Sequence, residues 1–367
     1  MRILHTGDLH FGSALRAFSP RAAHARRERQ LDAFANLLAA AKARGAQMIL
    51  LAGDCFDTPT PDADTVRRFY GILSDCGLPA IIAPGNHDFY RKGGFWDAVT
   101  PPDNVYLFDS PALAYFDFPE TGVRVYGYAF TGESMPAPAL PRASELPADR
   151  ACILLAHADV LSPLSPYAPL ATGELAQSGF AYAALGHVHK PTEPKRFGNT
   201  LTAYCGFFAG RGFDETGAGG ARLVELNGNT ASERVLESTA DRFEWRELDC
   251  TGLRSTEEVR AHVAAFLESE ALAPETALRL SLTGHVGLSC HPDVVALAAE
   301  GAHLALFEVL DETLPVFDAD FLAKDPTLRG AFYRALLPRL QSADEETRAV
   351  AATALRLGFA AIAGKEV

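Results

Sequence analysis

Nine side chains capable of acid–base or metal chemistry sit just beyond short apolar runs in this 367-residue chain. Asp8 and His10 follow MRILHT in the segment GDLH, and Asp54 opens GDCFD after QMILLA. Asn86, His87 and Asp88 form GNHD after PAIIAP, His157 ends CILLAH, and His187 and His189 make up GHVH after YAAL. In open α/β sheets the carboxyl ends of strands are where ligands bind. Asp, Asn and His offer hard oxygen and borderline nitrogen donors without sulfur, a set suited to Mn²⁺, Fe²⁺ or Zn²⁺ in a two-metal site. Taken singly, each segment has an ordinary reading. A Gly-Asp pair after a strand is turn chemistry, and GNHD can be a tight turn with Asn86 left-handed. His157 can be a hydrogen-bonded core histidine, and His187 and His189 can share one strand face. All five in succession, each closing an apolar run, read as one site.

The elements that must position them alternate in type. The sequence predicts a strand over Arg2 to Thr6, a long Ala- and Arg-rich helix over Arg21 to Arg44, and a strand over Gln47 to Ala52. A helix over Asp62 to Cys76, starting at Asp62 or Asp64, leads to a third strand, Pro79 to Ala83. Continuous apolar runs of this length between glycines or prolines suit strands covered on both faces. Further strands are expected around Val105, Leu113, Val123, Cys152, Tyr182, Asn199 and Gly220, with Thr131 to Ala148 as a proline-rich surface excursion. The fold class is therefore α/β, a sandwich of two sheets with helices outside. Composition shifts near Asp241 to Asp249, and an αβαβ pattern follows from Thr251 to Val309. Ala319 to Gly364 reads as two or three Ala-rich helices. The expected division is 1–245, 246–312 as a small capping domain, and 313–367 as a C-terminal helical segment.

Hydrophobic residues make up 48% of the chain and mean hydropathy is near zero, as in ordinary soluble proteins. No run of about 18 apolar residues suggests a membrane span, and no secretory signal is visible at the start. Six cysteines stand singly, with no CxxC pair, which argues against a disulfide framework or thiolate zinc site and leads us to expect a cytoplasmic protein. The net charge of −13 disfavours nonspecific adhesion to nucleic acid, so any such function must use a local basic patch. Arg16, Arg21, Arg26, Arg27 and Arg29 offer one, with only Glu28 opposing, although a solvated helix face explains that stretch as well. Arg91 and Lys92 follow GNHD, and Lys190, Lys195 and Arg196 follow GHVH.

The series DLH, GDCFD, GNHD, AHAD and GHVH closely resembles the calcineurin-like metallophosphoesterase superfamily, whose signature runs DxH, GDxxD, GNHD, a lone His and GHxH. Within it the chain looks most like the SbcD-type DNA repair exonucleases, particularly the YhaO-like branch. HTGDLHFGS at the start and AYCGFFAGRGFDETGAGGARLVEL at Ala203 to Leu226 carry that narrower match, with a weaker echo in LRLSLTGHV at Leu278 to Val286. The resemblance implies that Asp8, His10 and His189 hold one metal, that Asn86, His157 and His187 hold a second, and that Asp54 bridges both. Two divalent ions about 3.5–4 Å apart need such an anionic bridge and can activate a water for in-line attack on phosphorus. Mn²⁺ is the first expectation, with Fe²⁺ or Zn²⁺ as alternatives. His87 would act on the phosphoryl group or the leaving oxygen without binding metal. Asp88 either orients His87 or is a turn carboxylate, and Asp57 is placed to partner a ligand histidine. Where relatives carry a Pro-Gly-Ser-like turn, this chain has Cys205-Gly206-Phe207. The function so implied is a metal-dependent DNA exonuclease or endonuclease subunit, partnered by an SbcC-like coiled-coil ATPase and able to form a homodimer. The alternative is a small-substrate phosphodiesterase or phosphatase with the same core.

Overall fold

The computed structural model describes residues 1–362 apart from 161, 191, 288, 289, 317 and 318. The last five residues of the expected C-terminal segment lie outside the described residues. The chain divides into two compact units, Met1–Phe243 and Glu244–Val367.

In the first unit the strands are β1 (Arg2–Thr6), β2 (Ala46–Leu51), β3 (Ala80–Ile82), β4 (Val105–Leu107), β5 (Ala114–Phe118) and β6 (Val123–Gly127). They continue as β7 (Ala151–His157), β8 (Tyr182–Gly186), β9 (Lys195–Phe197), β10 (Thr200–Tyr204), β11 (Gly220–Asn227) and β12 (Thr230–Glu237). Helices α1 (Pro20–Ala43), α2 (Ala63–Cys76), α3 (Phe95–Ala98) and α4 (Thr172–Ser178) connect them. One six-stranded sheet has the order β12-β11-β1-β2-β3-β4, the other β5-β6-β7-β8-β10-β9. β1 to β4 run parallel, as do β6, β7, β8 and β10. The two-sheet α/β sandwich expected from the sequence is thus the fold.

Each sheet is apolar on both faces because each face is covered. Ile3, Met48, Leu50 and Ile81 of the first sheet meet Val125, Ile153, Leu155 and Ala184 of the second. On the outer face of the first sheet, Leu4, Ile49 and Leu51 pack beneath Phe34, Leu37 and Leu38 of α1 and Phe69 and Leu73 of α2. Ser19 caps α1, with Pro20 at its first turn, and Asp62 caps α2 through the amides of Asp64 and Thr65, while Gly77 ends α2 in the left-handed conformation. Polar ties also cross the sandwich, among them Arg196 Nη2 of β9 donating to Ala231 O of β12 at 2.6 Å. His5 of β1 faces Tyr182 Oη at 2.8 Å and Leu185 O at 3.2 Å, both on β8.

The second unit comprises β13 (Phe243–Asp249, whose first residue belongs to unit one), α5 (Thr256–Glu270), β14 (Ala277–Thr283), β15 (His285–Val286) and α6 (Val294–Glu300). Then come β16 (Leu306–Asp311), β17 (Leu314–Pro315), α7 (Ala319–Lys324), α8 (Leu328–Leu340) and α9 (Glu345–Ile362). Its main sheet has the order β13-β14-β16. The expected αβαβ pattern is therefore preceded by a strand, β13, where the sequence suggested only a change of composition. No helix among the described residues is long and apolar enough to cross a membrane.

Candidate metal centre

Parallel pairing of β1 with β2 does not stop where the strands end. Beyond them Asp8 N donates to Gly53 O, His10 N to Asp54 O and Phe11 N to Cys55 O, each at 2.9 Å. The GDLH and GDCFD loops are thereby zipped together in register. That delivers Asp8, His10 and Asp54 to one place, all at most 2% exposed. The third loop locks on through Asp88, whose Oδ1 accepts from Gly85 N at 2.7 Å and Oδ2 from Cys55 N at 2.7 Å and Phe56 N at 3.3 Å. Trp96 Nε1 donates to Asp88 O at 2.5 Å and braces it from behind. Asp88 therefore does not orient His87. Both its oxygens are taken by backbone amides, which is the turn-carboxylate alternative.

Backbones approach here more closely than side chains allow. A Cβ at Gly85 would run into the Asp54 carboxylate, and one at Gly186 into Ala52 O. The glycines of GNHD and GHVH are spatial requirements of the cluster. Non-glycine strain accompanies them: Asp8, His10 and Asp54 have φ of 46°, 46° and 48°, and His187 has φ 100°. Left-handed backbone of this kind costs energy and concentrates at functional sites.

Ligand-type atoms of Asp8, His10, Asp54 and His189 lie within 4.8 Å of one another. Their arrangement suits a positive charge among them. His10 Nδ1 faces Asp57 Oδ1 at 3.0 Å and His189 Nδ1 faces Glu215 Oε1 at 2.7 Å. With Nδ1–H donated in both cases, the two Nε2 atoms face each other at 3.1 Å. Two lone pairs so placed need a shared proton or a metal ion between them. The same holds for the second group. His157 Nδ1–H donates to Ala52 O at 3.0 Å, so its bare Nε2 faces Asn86 Oδ1 at 2.9 Å and Asp54 Oδ2 at 3.4 Å. The His187 ring packs against that of His157 at 5.2 Å, and its backbone N–H donates to the Asp8 carboxylate at 3.1 Å.

Electrostatics tell the same story. Burial holds His157 down at about 3, His10 at about 4, and, together with His157, His187 at about 4. Burial and the neighbouring Asp54 charge push the Asp8 carboxyl up to about 7 and Asp88 to about 8. Neutral histidines and crowded buried carboxylates are donors that a cation would suit. His189 differs: burial lowers it, but Glu215 and Asp8 outweigh burial and raise it. The donor types gathered around Asp54 therefore fit divalent cations.

His87 lies at the open edge of the first group, with a ring nitrogen within 4.8 Å of ligand-type atoms of His10 and Asp57 and its ring edge-on to that of His10 at 4.9 Å. It is exposed, its backbone N–H donates to Asp54 Oδ1 at 2.9 Å, and its Nδ1 is held by Asp57 O at 3.2 Å. Asp57 thus serves His10 with its side chain and His87 with its carbonyl. Sequence reasoning missed Arg211 and Glu215, which complete the surroundings of His189. A signal was present, since Arg211, Asp214 and Glu215 are the only charges in the run AYCGFFAGRGFDETGAGG. Cys205 of the departing Cys-Gly-Phe turn sets its Sγ 3.4 Å from Asp8 Oδ2, so that loop touches a candidate ligand after all.

Two of the arginines expected to face DNA do not. Arg26 is 4% exposed, donates to Asp241 O at 2.8 Å and lies over the Phe243 ring at 4.6 Å. Arg29 pairs with the Asp241 carboxylate at 2.7 Å. Both fasten α1 to the segment at 241–243.

Fold and cluster together describe a dinuclear hydrolase centre at the carboxyl ends of a two-sheet sandwich. The chain belongs to the calcineurin-like phosphoesterase family, which matches residues 1–191. Among curated proteins it is similar to the metallophosphoesterase YhaO of Bacillus subtilis (strain 168), 28% identical over 248 residues, covering 64% of this chain and 59% of that protein. It is 27% identical over 289 residues to the SbcD component of the nuclease SbcCD of the same organism, covering 67% of this chain and 72% of that protein. It is also 28% identical over 274 residues to the DNA double-strand break repair protein Mre11 of Haloferax volcanii, covering 72% and 58%. The chain thus spans about three-fifths of the length of two of these relatives.

Proposed function

We propose that the protein is a two-metal phosphodiesterase acting on DNA, the nuclease component of a repair complex. Supporting this most directly is the meeting of ligand-type atoms, His10 Nε2 with His189 Nε2 and His157 Nε2 with Asn86 Oδ1, on either side of Asp54. Asp8, His10 and His189 would hold one ion, Asn86, His157 and His187 the other, with Asp54 shared and Mn²⁺ the first candidate. When bound, the pair supplies Lewis acidity toward phosphoryl oxygens and an activated water. His87 is exposed beside the cluster with Nδ1 tied to Asp57 O, which leaves Nε2 to meet the phosphoryl group or protonate the leaving oxygen. Asp88 and Asp57 keep the loops in place without touching substrate. Relatives named as nuclease and break-repair proteins favour DNA over small diesters.

An SbcC-like ATPase is the partner we propose. The C-terminal helices offer a surface for it: Phe321, Leu328, Val350 and Leu357 are 55%, 69%, 64% and 41% exposed around a small core of Leu322, Tyr333, Leu355 and Phe359. Exposed apolar side chains in this density mark interaction sites. A cytoplasmic location and homodimer formation complete the proposal. The deciding assay compares Mn²⁺-dependent cleavage of linear duplex DNA with hydrolysis of bis-p-nitrophenyl phosphate and cyclic nucleotides. DNA cleavage supports the nuclease reading; hydrolysis of the small diesters alone transfers it to a small-substrate phosphodiesterase.

A further inference from the structure

The two histidines of the first candidate metal are joined on their far side by a closed circuit of charged groups. His10 Nδ1 meets Asp57 Oδ1 at 3.0 Å, Asp57 Oδ1 meets Arg211 Nη1 at 3.0 Å, Arg211 Nη2 meets Glu215 Oε1 at 2.7 Å, and Glu215 Oε1 meets His189 Nδ1 at 2.7 Å. Four separate stretches of chain contribute to it. The loop carrying Arg211 and Glu215 is built for this geometry: Glu215 N donates to Gly212 O at 3.1 Å, and Glu215 Oε2 accepts from Arg211 N at 3.0 Å. A Cβ at Gly210 would strike Glu215 O, and Phe213 anchors the loop edge-on against Phe243 at 5.1 Å. Glu215 is 4% exposed, and a buried carboxylate is tolerated only with its charge and lone pairs matched. Here the matching groups are a guanidinium and the back of a candidate ligand.

We infer that Glu215 and Arg211 are positioning residues of the metal centre, Glu215 aiming His189 and Arg211 holding Glu215 and Asp57 in one register. The inference rests on the two-metal reading proposed above. A carboxylate on Nδ1–H fixes the tautomer that leaves Nε2 free for metal and strengthens it as a donor. Arg211 suits its place because its planar fork donates from two different nitrogens, Nη1 to Asp57 and Nη2 to Glu215, whereas lysine offers one point charge whose donors share a single nitrogen. The circuit touches His10 and His189 and neither Asn86, His157 nor His187. Damage to it must therefore weaken one ion and spare the other.

Mn²⁺ is titrated calorimetrically into the metal-stripped full chain, with thermal midpoints recorded in chelator. The parent is expected to bind two ions. Glu215→Ala should lower the affinity of one about 10–100-fold, the range for loss of a carboxylate behind a ligand histidine, and leave the other unchanged, while the chelator midpoint reads separately the stability lost by unpairing Arg211. Glu215→Gln keeps an acceptor for Nδ1–H and should recover part of the loss. Arg211→Met should weaken the same ion, and Arg211→Lys less so. If Glu215→Ala does not fold, Glu215→Gln and Arg211→Met carry the test, since both must show the one-ion pattern. Variants that bind both ions as the parent does, or weaken both alike, overturn this inference alone. A parent that binds no Mn²⁺ overturns the two-metal reading and this inference with it.

Discussion

Asp54 reaches the Nε2 atoms of both groups, 3.7 Å from His10 Nε2 and 3.4 Å from His157 Nε2. Asp57, three residues on, faces the back of His10 and the Arg211 guanidinium. Asp54→Ala should therefore lose both metals, while Asp57→Ala should lose neither completely. Metal analysis of the purified variants decides this, and a full complement retained by Asp54→Ala would refute the bridge. His87 has the opposite profile, beside the cluster but with Nδ1 spent on a backbone carbonyl. Replacing it with Ala or Asn should lower turnover about 10²–10⁴-fold, as for a positioned acid, with metal content intact. Loss of an ion from His87→Ala would mean that Asn86 and His87 exchange roles. All nine side chains singled out in the sequence stand in or beside one cluster, because each is written within a few residues of a strand end. Arg211 and Glu215 escaped notice because their charges, though isolated in a glycine-rich run, do not by themselves say what they meet. Their meaning lies in Asp57 and His189, the first of them 154 positions away. The left-handed φ of Asp8, His10, Asp54 and His187 was equally hidden, since Asp and His carry no glycine-like signature.

Strands bounded by glycine or proline were legible to within a residue or two: β1, β2, β3, β7 and β8 are continuous apolar runs buried on both faces. β12 was not foreseen, for TASERVLE lacks such a run and five of its eight residues are exposed or charged edge positions paired only with β11. Nor could a one-dimensional reading see why β1 carries a histidine in its centre. His5 is fully buried, and burial with the nearby Arg222 charge brings it to about 3. The neutral ring donates Nε2–H to Leu185 O and accepts at Nδ1 from Tyr182 O–H, so one tautomer satisfies both bonds between the sheets. Its ordinary value is 6.5, and the folded value is lower. The unfolded chain therefore binds the proton first. The tie's contribution is whole above about pH 6.5 and declines as pH falls toward about 3, by roughly 1.4 kcal/mol per unit of pH. His5→Gln, which offers one donor and one acceptor and does not titrate, should be less stable than the parent at pH 8 yet lose less of its melting temperature between pH 7 and 5. Parallel declines for the two proteins would show that His5 does not carry this proton linkage.

For the molecule as a whole, the question is how a chain of net charge −13 receives a polyanion. Bulk charge cannot attract it, so local cations must, and the structure sorts the arginines near the GDLH loop into two kinds. Arg26 and Arg29 belong to the architecture: both pair with Asp241, and Arg26 is sealed against Phe18 and Phe243. Arg16 and Arg21 are exposed, and Arg27 is half-buried with Nη1 3.3 Å from Ser13 O. Arg27 also lines, with Phe11, His24 and Thr58, a cavity of about 800 Å³. Phe11 directly follows the candidate ligand His10, so a backbone led along these cations arrives at the metals. Each phosphate contact to duplex DNA steepens the fall of log K with log salt by about 0.9. Replacing Arg16, Arg21 and Arg27 together by Ala should weaken duplex binding at low salt and flatten that slope by up to about three units. Hydrolysis of a small chromogenic diester, which needs only the metals and His87, should continue at the parent's rate. Arg26→Ala should do the reverse, lowering the melting temperature by opening a buried guanidinium site while leaving the slope of the folded protein unchanged. Should the triple variant bind DNA with the parent's affinity and slope, these arginines form a solvated helix face and DNA enters elsewhere. Should it lose the small-diester activity, the three cations support the catalytic loops and the proposed path along α1 is wrong.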